Sequence, residues 1–242
     1  FNRPKMHVFN LELMEAILTA LRDAEADAAV RAIVLRGAGS VFSAGLDFKA
    51  MMQARMEGPE QGERFGETMR QGFRNVWTCP KPTVAAVTGH AIAAGFFVAA
   101  ACDFRYVAEG PGRYGMNELV FGAPFPPIAV EIGRYALQRE MAHAIQSAEL
   151  YGWEEGLRNG TFHKSFPTEE AVVKAAVEQA AKVGAMPREA YAQVKSQLLA
   201  PYVARVDNES EEHKRMTAAI YDSAETLEAT MRYVANIVGQ KG

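Results

Sequence analysis

Val41-Phe42-Ser43-Ala44-Gly45-Leu46-Asp47-Phe48-Lys49 is the stretch that decides how this chain of 242 residues folds. A short apolar run enters a turn of small residues, and Asp47 then stands where a helix needs a cap. A second turn of the same kind, Gly89-His90-Ala91-Ile92-Ala93-Ala94-Gly95, follows about one strand and two helices later. A strand-to-helix turn of small residues leaves backbone N–H groups unpaired, with the positive end of the helix dipole behind them. Two such turns brought together make a hole for a developing oxyanion, which points to chemistry on a thioester or ester carbonyl.

Strands and helices alternate outward from these turns. Asn10 is the expected cap of a helix carrying Leu11, Met14, Ile17, Leu18 and Leu21 at helical spacing. Ala32–Leu35 reads as a short buried strand ended by Arg36-Gly37. A helix is expected around Asp47–Gln53, and another over residues 60–78 with the apolar stripe Phe65, Met69, Phe73 and Trp77, stopped by Pro80 and Pro82. Thr83–Thr88 and Phe104–Val107 are apolar strands, and an apolar helix, Phe96–Ala101, lies between them. This alternation predicts right-handed βαβ units and a parallel sheet. Beyond the bend at Pro124, Pro126 and Pro127 the pattern turns helical, with spans near 127–135, 138–148, 153–159, 168–184, 187–204 and 208–238. An α/β core over residues 1–165 and a helical region over 166–242 result.

Composition narrows the function classes. Hydrophobic residues make up 49% and charged residues 23%, as in globular domains. A net charge of −3 supplies no basic field for nucleic acid. No run approaches the about 18 apolar residues of a membrane span. Cys79 and Cys102 form no disulfide framework or metal motif and read as small buried hydrophobes in a reducing, intracellular compartment, the cytoplasm or an organelle matrix. The opening Phe1-Asn2-Arg3-Pro4 looks like the end of a strand whose leading hairpin is missing.

Glu118 is the candidate acid/base. Apolar neighbours flank it in Tyr114-Gly115-Met116-Asn117-Glu118-Leu119-Val120-Phe121-Gly122, and desolvation raises the basicity of a carboxylate. The alternative is a helix-start glutamate capping backbone N–H groups. Glu131, near the proline bend, reads as part of a solvated helix face. The five histidines, His7, His90, His143, His163 and His213, show no metal-ligand spacing, and His90 reads as a capping or packing residue. The stripe through Phe65 reads as core, while Met51–Met56 could line an apolar pocket.

These segments together resemble the crotonase superfamily, the enoyl-CoA hydratases and isomerases. The matching pieces are Asn2-Arg3-Pro4-Lys5, Phe42 through Lys49, Gly89 through Gly95, Cys102-Asp103-Phe104-Arg105 and Tyr114 through Leu119. The resemblance implies a crotonase-like spiral of ββα units with a C-terminal helical trimerisation region, in trimers or dimers of trimers. It implies an acyl-CoA thioester substrate and no permanently bound cofactor or metal. Backbone N–H groups of Leu46 and Ala94 would form the oxyanion hole, and Lys5, Met6 and Ala44 would contact the CoA moiety. Lys49 would meet a CoA phosphate or else stay an exposed lysine, and Asp47 would cap its turn beside the substrate. Family hydratases use two glutamates; here Phe97 stands at the first position and Glu118 at the second. Dienoyl-type isomerases place acids at positions occupied here by Phe97 and Pro126. The pattern of Asn117-Glu118, Gly122 and Pro124-Phe125 is instead similar to single-glutamate isomerases that shift a 3-enoyl-CoA to a 2-enoyl-CoA. Phe97 and Phe125 would wall the acyl site, and Ala94 replaces the usual glycine. Hydration, hydrolysis, C–C cleavage and non-catalytic acyl-CoA binding are the other readings.

Overall fold

The computed structural model describes residues 1–4 and 6–239. Seven strands, β1 (Ile33–Arg36), β2 (Val41–Ser43), β3 (Thr83–Val87), β4 (His90–Ile92), β5 (Phe104–Ala108), β6 (Tyr114–Gly115) and β7 (Lys164–Phe166), build two parallel sheets. Odd-numbered strands form a four-stranded sheet in the order β1-β3-β5-β7, and even-numbered strands form a three-stranded sheet in the order β2-β4-β6. Each consecutive strand pair therefore crosses from one sheet to the other before a helix returns the chain, which is the ββα spiral of the crotonase fold. Register in the larger sheet runs Ile33 beside Thr83 and Val84 beside Phe104.

Strand β3 is buried along its whole length because both faces are covered. Its alternate residues separate accordingly. Val84 and Ala86, with Tyr106, meet Val172, Ala176 and Ala180 of α8 (Glu169–Gly184). Ala85 and Val87 face the main core with Met14 of α1 (Leu11–Ala26) and Phe73, Val76 and Trp77 of α3 (Pro59–Thr78). The stripe through Phe65, Met69, Phe73 and Trp77 is core, as its spacing implied. Asn10 caps α1, its side-chain oxygen accepting from the Leu13 N–H at 3.0 Å.

Three findings depart from the expectations. Short strands β2, β4 and β6 lie inside what reads as turn or loop. Glu131, on α5 (Pro127–Leu137), is buried rather than solvated. Its carboxylate binds Arg134 at 2.9 Å and Arg205 of α9 (Arg188–Asp207) at 2.8 Å, so it pins α9 to α5. The last helix is broken in two, α10 (Glu211–Tyr221) and α11 (Ala224–Gly239). Ser210 caps α10 by accepting from the His213 N–H at 3.1 Å, and the Ser223 hydroxyl accepts from the Thr226 N–H at 3.2 Å. The intervening α4 (Ala94–Ala100), α6 (Met141–Ser147) and α7 (Trp153–Arg158) complete the fold with α2 (Phe48–Met56).

Among the described residues, no helix is long and apolar enough to cross a membrane.

Candidate active site

Both Gly/Ala turns lie side by side, and glycines make the approach possible. Gly45 has φ +101°, and a β-carbon there would stand 3.4 Å from the Ala94 nitrogen. At Gly95 a β-carbon would meet the Ser43 carbonyl oxygen at 2.2 Å, so only glycine fits between α4 and β2. Leu46 sits next to Phe9, but the hydrogen bonds of that bridge use its neighbours: Phe9 N–H donates to Gly45 O at 2.8 Å and Asp47 N–H to Phe9 O at 2.9 Å. Among the described residues, the N–H groups of Leu46 and Ala94 have no acceptor. The unusual backbone lies one residue before Ala94: Ala93 has φ 52° and ψ −124°. That conformation costs a side-chain-bearing residue about 1–3 kcal/mol. Ala94 itself begins the helix, so its methyl group is accommodated.

Asp47 caps α2, accepting from the Ala50 N–H at 3.1 Å, and its other oxygen accepts from Arg3 at 2.6 Å. Both carboxylate oxygens thus serve the fold. Met6 and Ala44 are brought together, the Ala44 N–H donating to the Met6 carbonyl at 2.9 Å. Lys5 lies outside the described residues. Lys49 is exposed on the first turn of α2. His90 accepts the Arg113 N–H at 3.1 Å through Nδ1, tying the second turn to the residue before β6 rather than capping a helix. Cys79 and Cys102 are free and buried, and burial pushes both thiols up to about 12.

Glu118 opens a short 3₁₀ turn, Glu118–Phe121, directly after β6. Two links set this turn beside both amide turns. The Ala93 N–H donates to Gly115 O at 2.9 Å, and Phe48, two residues after Leu46, packs edge-on against Phe121 at 5.0 Å. Although the residue as a whole is half-buried, Oε2 of Glu118 is fully buried with no hydrogen-bond partner. Desolvation pushes its carboxyl up to about 8, and its own backbone N–H offsets only part of that rise. Tyr221 of α10 feels the same carboxylate. Burial and the proximity of Glu118, opposed by Arg55 and Arg70, push its phenol up to about 12, and its hydroxyl donates to Pro124 O at 2.7 Å.

Phe97 is 3% exposed and packs against Phe73 at 6.1 Å, Phe96 at 6.1 Å and Phe125 at 6.0 Å. These rings make a continuous apolar wall. From the C-terminal side, Tyr233 of α11 closes on Phe121 at 4.9 Å and Phe48 at 6.0 Å. In the sequence Tyr221 and Tyr233 lie within the helical span 208–238, where spacing alone gives them no role in the site. Their signal was chemical: a tyrosine carries a hydroxyl that seeks a partner when its ring is buried. Among the described residues, no three His, Cys, Asp or Glu side chains cluster as a metal site.

The spiral of ββα units and the paired turns define a class of fold, and comparison with known proteins gives its name. The model of the family described as Enoyl-CoA hydratase/isomerase matches residues 1–237, and the chain belongs to that family. It is 34% identical over 173 residues, 71% of this chain and 68% of its relative, to a Thermus thermophilus protein provisionally named an enoyl-CoA hydratase. It is 28% identical over 201 residues to the human mitochondrial Delta(3,5)-Delta(2,4)-dienoyl-CoA isomerase, covering 75% of this chain and 58% of that one. The fold matches the crystal structure of human mitochondrial delta3-delta2-enoyl-CoA isomerase with a TM-score of 0.90 at 22% identity, over 99% of this chain and 93% of the other.

Proposed function

We propose that this chain moves the double bond of an enoyl-CoA from C3 to C2, with Glu118 as the single proton carrier. The observation that carries the reading is the buried, partnerless Oε2 of Glu118, together with a phenylalanine, Phe97, where the family resemblance implies a second acid. The Glu118 carboxylate removes a proton from C2, and the C2–H electron pair passes into the thioester as a dienolate. The negative oxygen is met by the N–H groups of Leu46 and Ala94, which have no acceptor of their own among the described residues. The carboxylic acid then returns the proton at C4, so atoms and charge balance. Water would divert the dienolate or trade with the carried proton, and the wall of Phe96, Phe97 and Phe125 keeps it away. In this reading Met6, Ala44 and Lys5 flank the CoA moiety, Lys49 meets its phosphates, Asp47 fixes the start of α2, and no cofactor beyond the thioester is used.

Exposed apolar residues on the 3₁₀ turn and the last two helices support a homotrimer or dimer of trimers: Leu119 and Val120, with Ile220, Leu227 and Met231. The core of residues 1–165 would hold the chemistry, and 166–242, joined by Leu119 and Val120, the subunit contacts. Free thiols at Cys79 and Cys102 support a cytoplasmic setting.

The test is turnover of a 3-enoyl-CoA in ¹⁸O-water. Glu118→Gln is expected to lose about 10²–10⁴ of the rate, with no label in the wild-type product. An undiminished rate removes Glu118 from the mechanism; no turnover of the 3-enoyl-CoA, with a labelled 3-hydroxyacyl product from a 2-enoyl-CoA, makes the enzyme a hydratase.

A further inference from the structure

Asn117 precedes Glu118 at the N-cap of the 3₁₀ turn, where an asparagine ordinarily turns its side-chain oxygen onto the free N–H groups ahead of it. It forms no such cap here. Its Nδ2 donates instead to the hydroxyl of Tyr233 on α11, 116 residues away, at 2.8 Å, and its Oδ1 is buried without a partner. The ring of Tyr233 is itself fixed against Phe121 and Phe48. Two further bonds tie α11 to the same segment: the Thr226 hydroxyl donates to Gly122 O at 3.0 Å and the Thr230 hydroxyl to Phe121 O at 3.1 Å. The turn that carries the carboxylate is thus held from outside, by a helix with no share in either sheet.

We propose that Tyr233 is a positioning residue, which by diverting Asn117 from its cap holds the Glu118 carboxyl in its buried place. The proposal rests on Glu118 as the proton carrier. Without the hydroxyl, Asn117 keeps a buried amide with no acceptor, which is costly. That cost is relieved when the side chain swings back to cap the turn, which re-aims Glu118 and admits water beside it. The phenol is suited to the task because its oxygen accepts as well as donates, and the rest of the ring keeps its packing when the oxygen is removed.

The experiment compares Tyr233→Phe, Asn117→Ala and the double variant with wild type and Glu118→Gln, in steady-state turnover of a 3-enoyl-CoA across pH. Tyr233→Phe is expected to lower kcat about tenfold, since small misplacements of a reacting group carry large rate costs, with KM little changed. The midpoint of its pH–rate profile should move down, toward the ordinary carboxyl range, as water reaches Glu118. Asn117→Ala leaves no side chain to swing back onto the turn, so it should move kcat and the midpoint less than Tyr233→Phe, and the double variant should behave as Asn117→Ala alone. Thr230→Val, which removes a neighbouring bond of α11, should lower the melting temperature and leave the pH midpoint alone. An unmoved kcat and midpoint in Tyr233→Phe, losses that multiply in the double variant, or the same pH shift in Thr230→Val each overturn the proposal. If Glu118→Gln is inactive in any of these cases, Glu118 keeps its role and only the part given to Tyr233 fails; a fully active Glu118→Gln removes the reading beneath it.

Discussion

Gly45 lies directly against Ala94: a β-carbon on the glycine would come within 3.4 Å of the alanine nitrogen, and within 3.1 Å of both the Ala93 methyl carbon and the Ile92 carbonyl oxygen. Gly45→Ala therefore forces an L side chain into φ +101° and pushes the two amide turns apart. We expect a loss of roughly 1–2 kcal/mol from the backbone alone, read as a lower urea midpoint. A fall in kcat should exceed what the stability loss explains, because both hydrogen-bond donors shift together.

On the proposed mechanism Glu118 sets the pH dependence. With its carboxyl pushed up to about 8, the basic form appears only as the pH rises through that value, so kcat/KM should climb with pH and level off above it. Stability moves the other way. A carboxyl with a raised folded-state pKa binds its proton more tightly when folded, so its stabilising contribution is complete below about 4.5 and is lost as pH rises through about 8. Glu118→Gln has no such loss. The difference in melting temperature, variant minus wild type, should therefore grow between pH 4.5 and 8; a difference independent of pH would contradict the burial argument.

Phe97 should act on proton fidelity. Phe97→Leu keeps most of the apolar volume and should cost about 1 kcal/mol, while opening the contact to Phe125. Product formed in D₂O should then carry more deuterium at C4 than the wild-type product, because solvent exchanges with the proton held on Glu118. Equal deuterium content would show that Phe97 takes no part in excluding water.

Glu131 makes a contrasting case. Its side chain is 5% exposed and bonded to Arg134 and Arg205, whose side chains are 52% and 47% exposed. Glu131→Gln should destabilise by roughly 1–3 kcal/mol through the α5–α9 contact, and leave kcat/KM within about twofold of wild type. A large catalytic loss at unchanged stability would make it a second reacting carboxylate.

Local chemistry made some of these features legible. The Asp47 cap, the amide turns and the desolvated surroundings of Glu118 are all written within a few residues of the groups concerned. What escaped the sequence did so for separate physical reasons. Strands β2 and β4 are three residues long and β6 only two, too short for an alternating pattern to register. Glu131 precedes Arg134 by one helical turn and so looks like a surface pair; its burial depends on Arg205, 74 residues later. The break in the last helix falls at Ser223, whose hydroxyl accepts from the Thr226 N–H, a local signal masked by the longer apolar pattern around it. The positive φ of the second turn falls on Ala93, which its sequence does not mark.

The grip of α10 and α11 on the Glu118 turn has a consequence for how the enzyme comes to life. Tyr221 and Tyr233 reach back 97 and 116 residues to Pro124 and Asn117. A ribosome must therefore deliver the chain through Tyr233 before the carboxylate can be locked in place, long after both sheets have their strands. Folding of the scaffold and the onset of turnover are separable events, and a refolding experiment that follows both signals should see them arrive at different times.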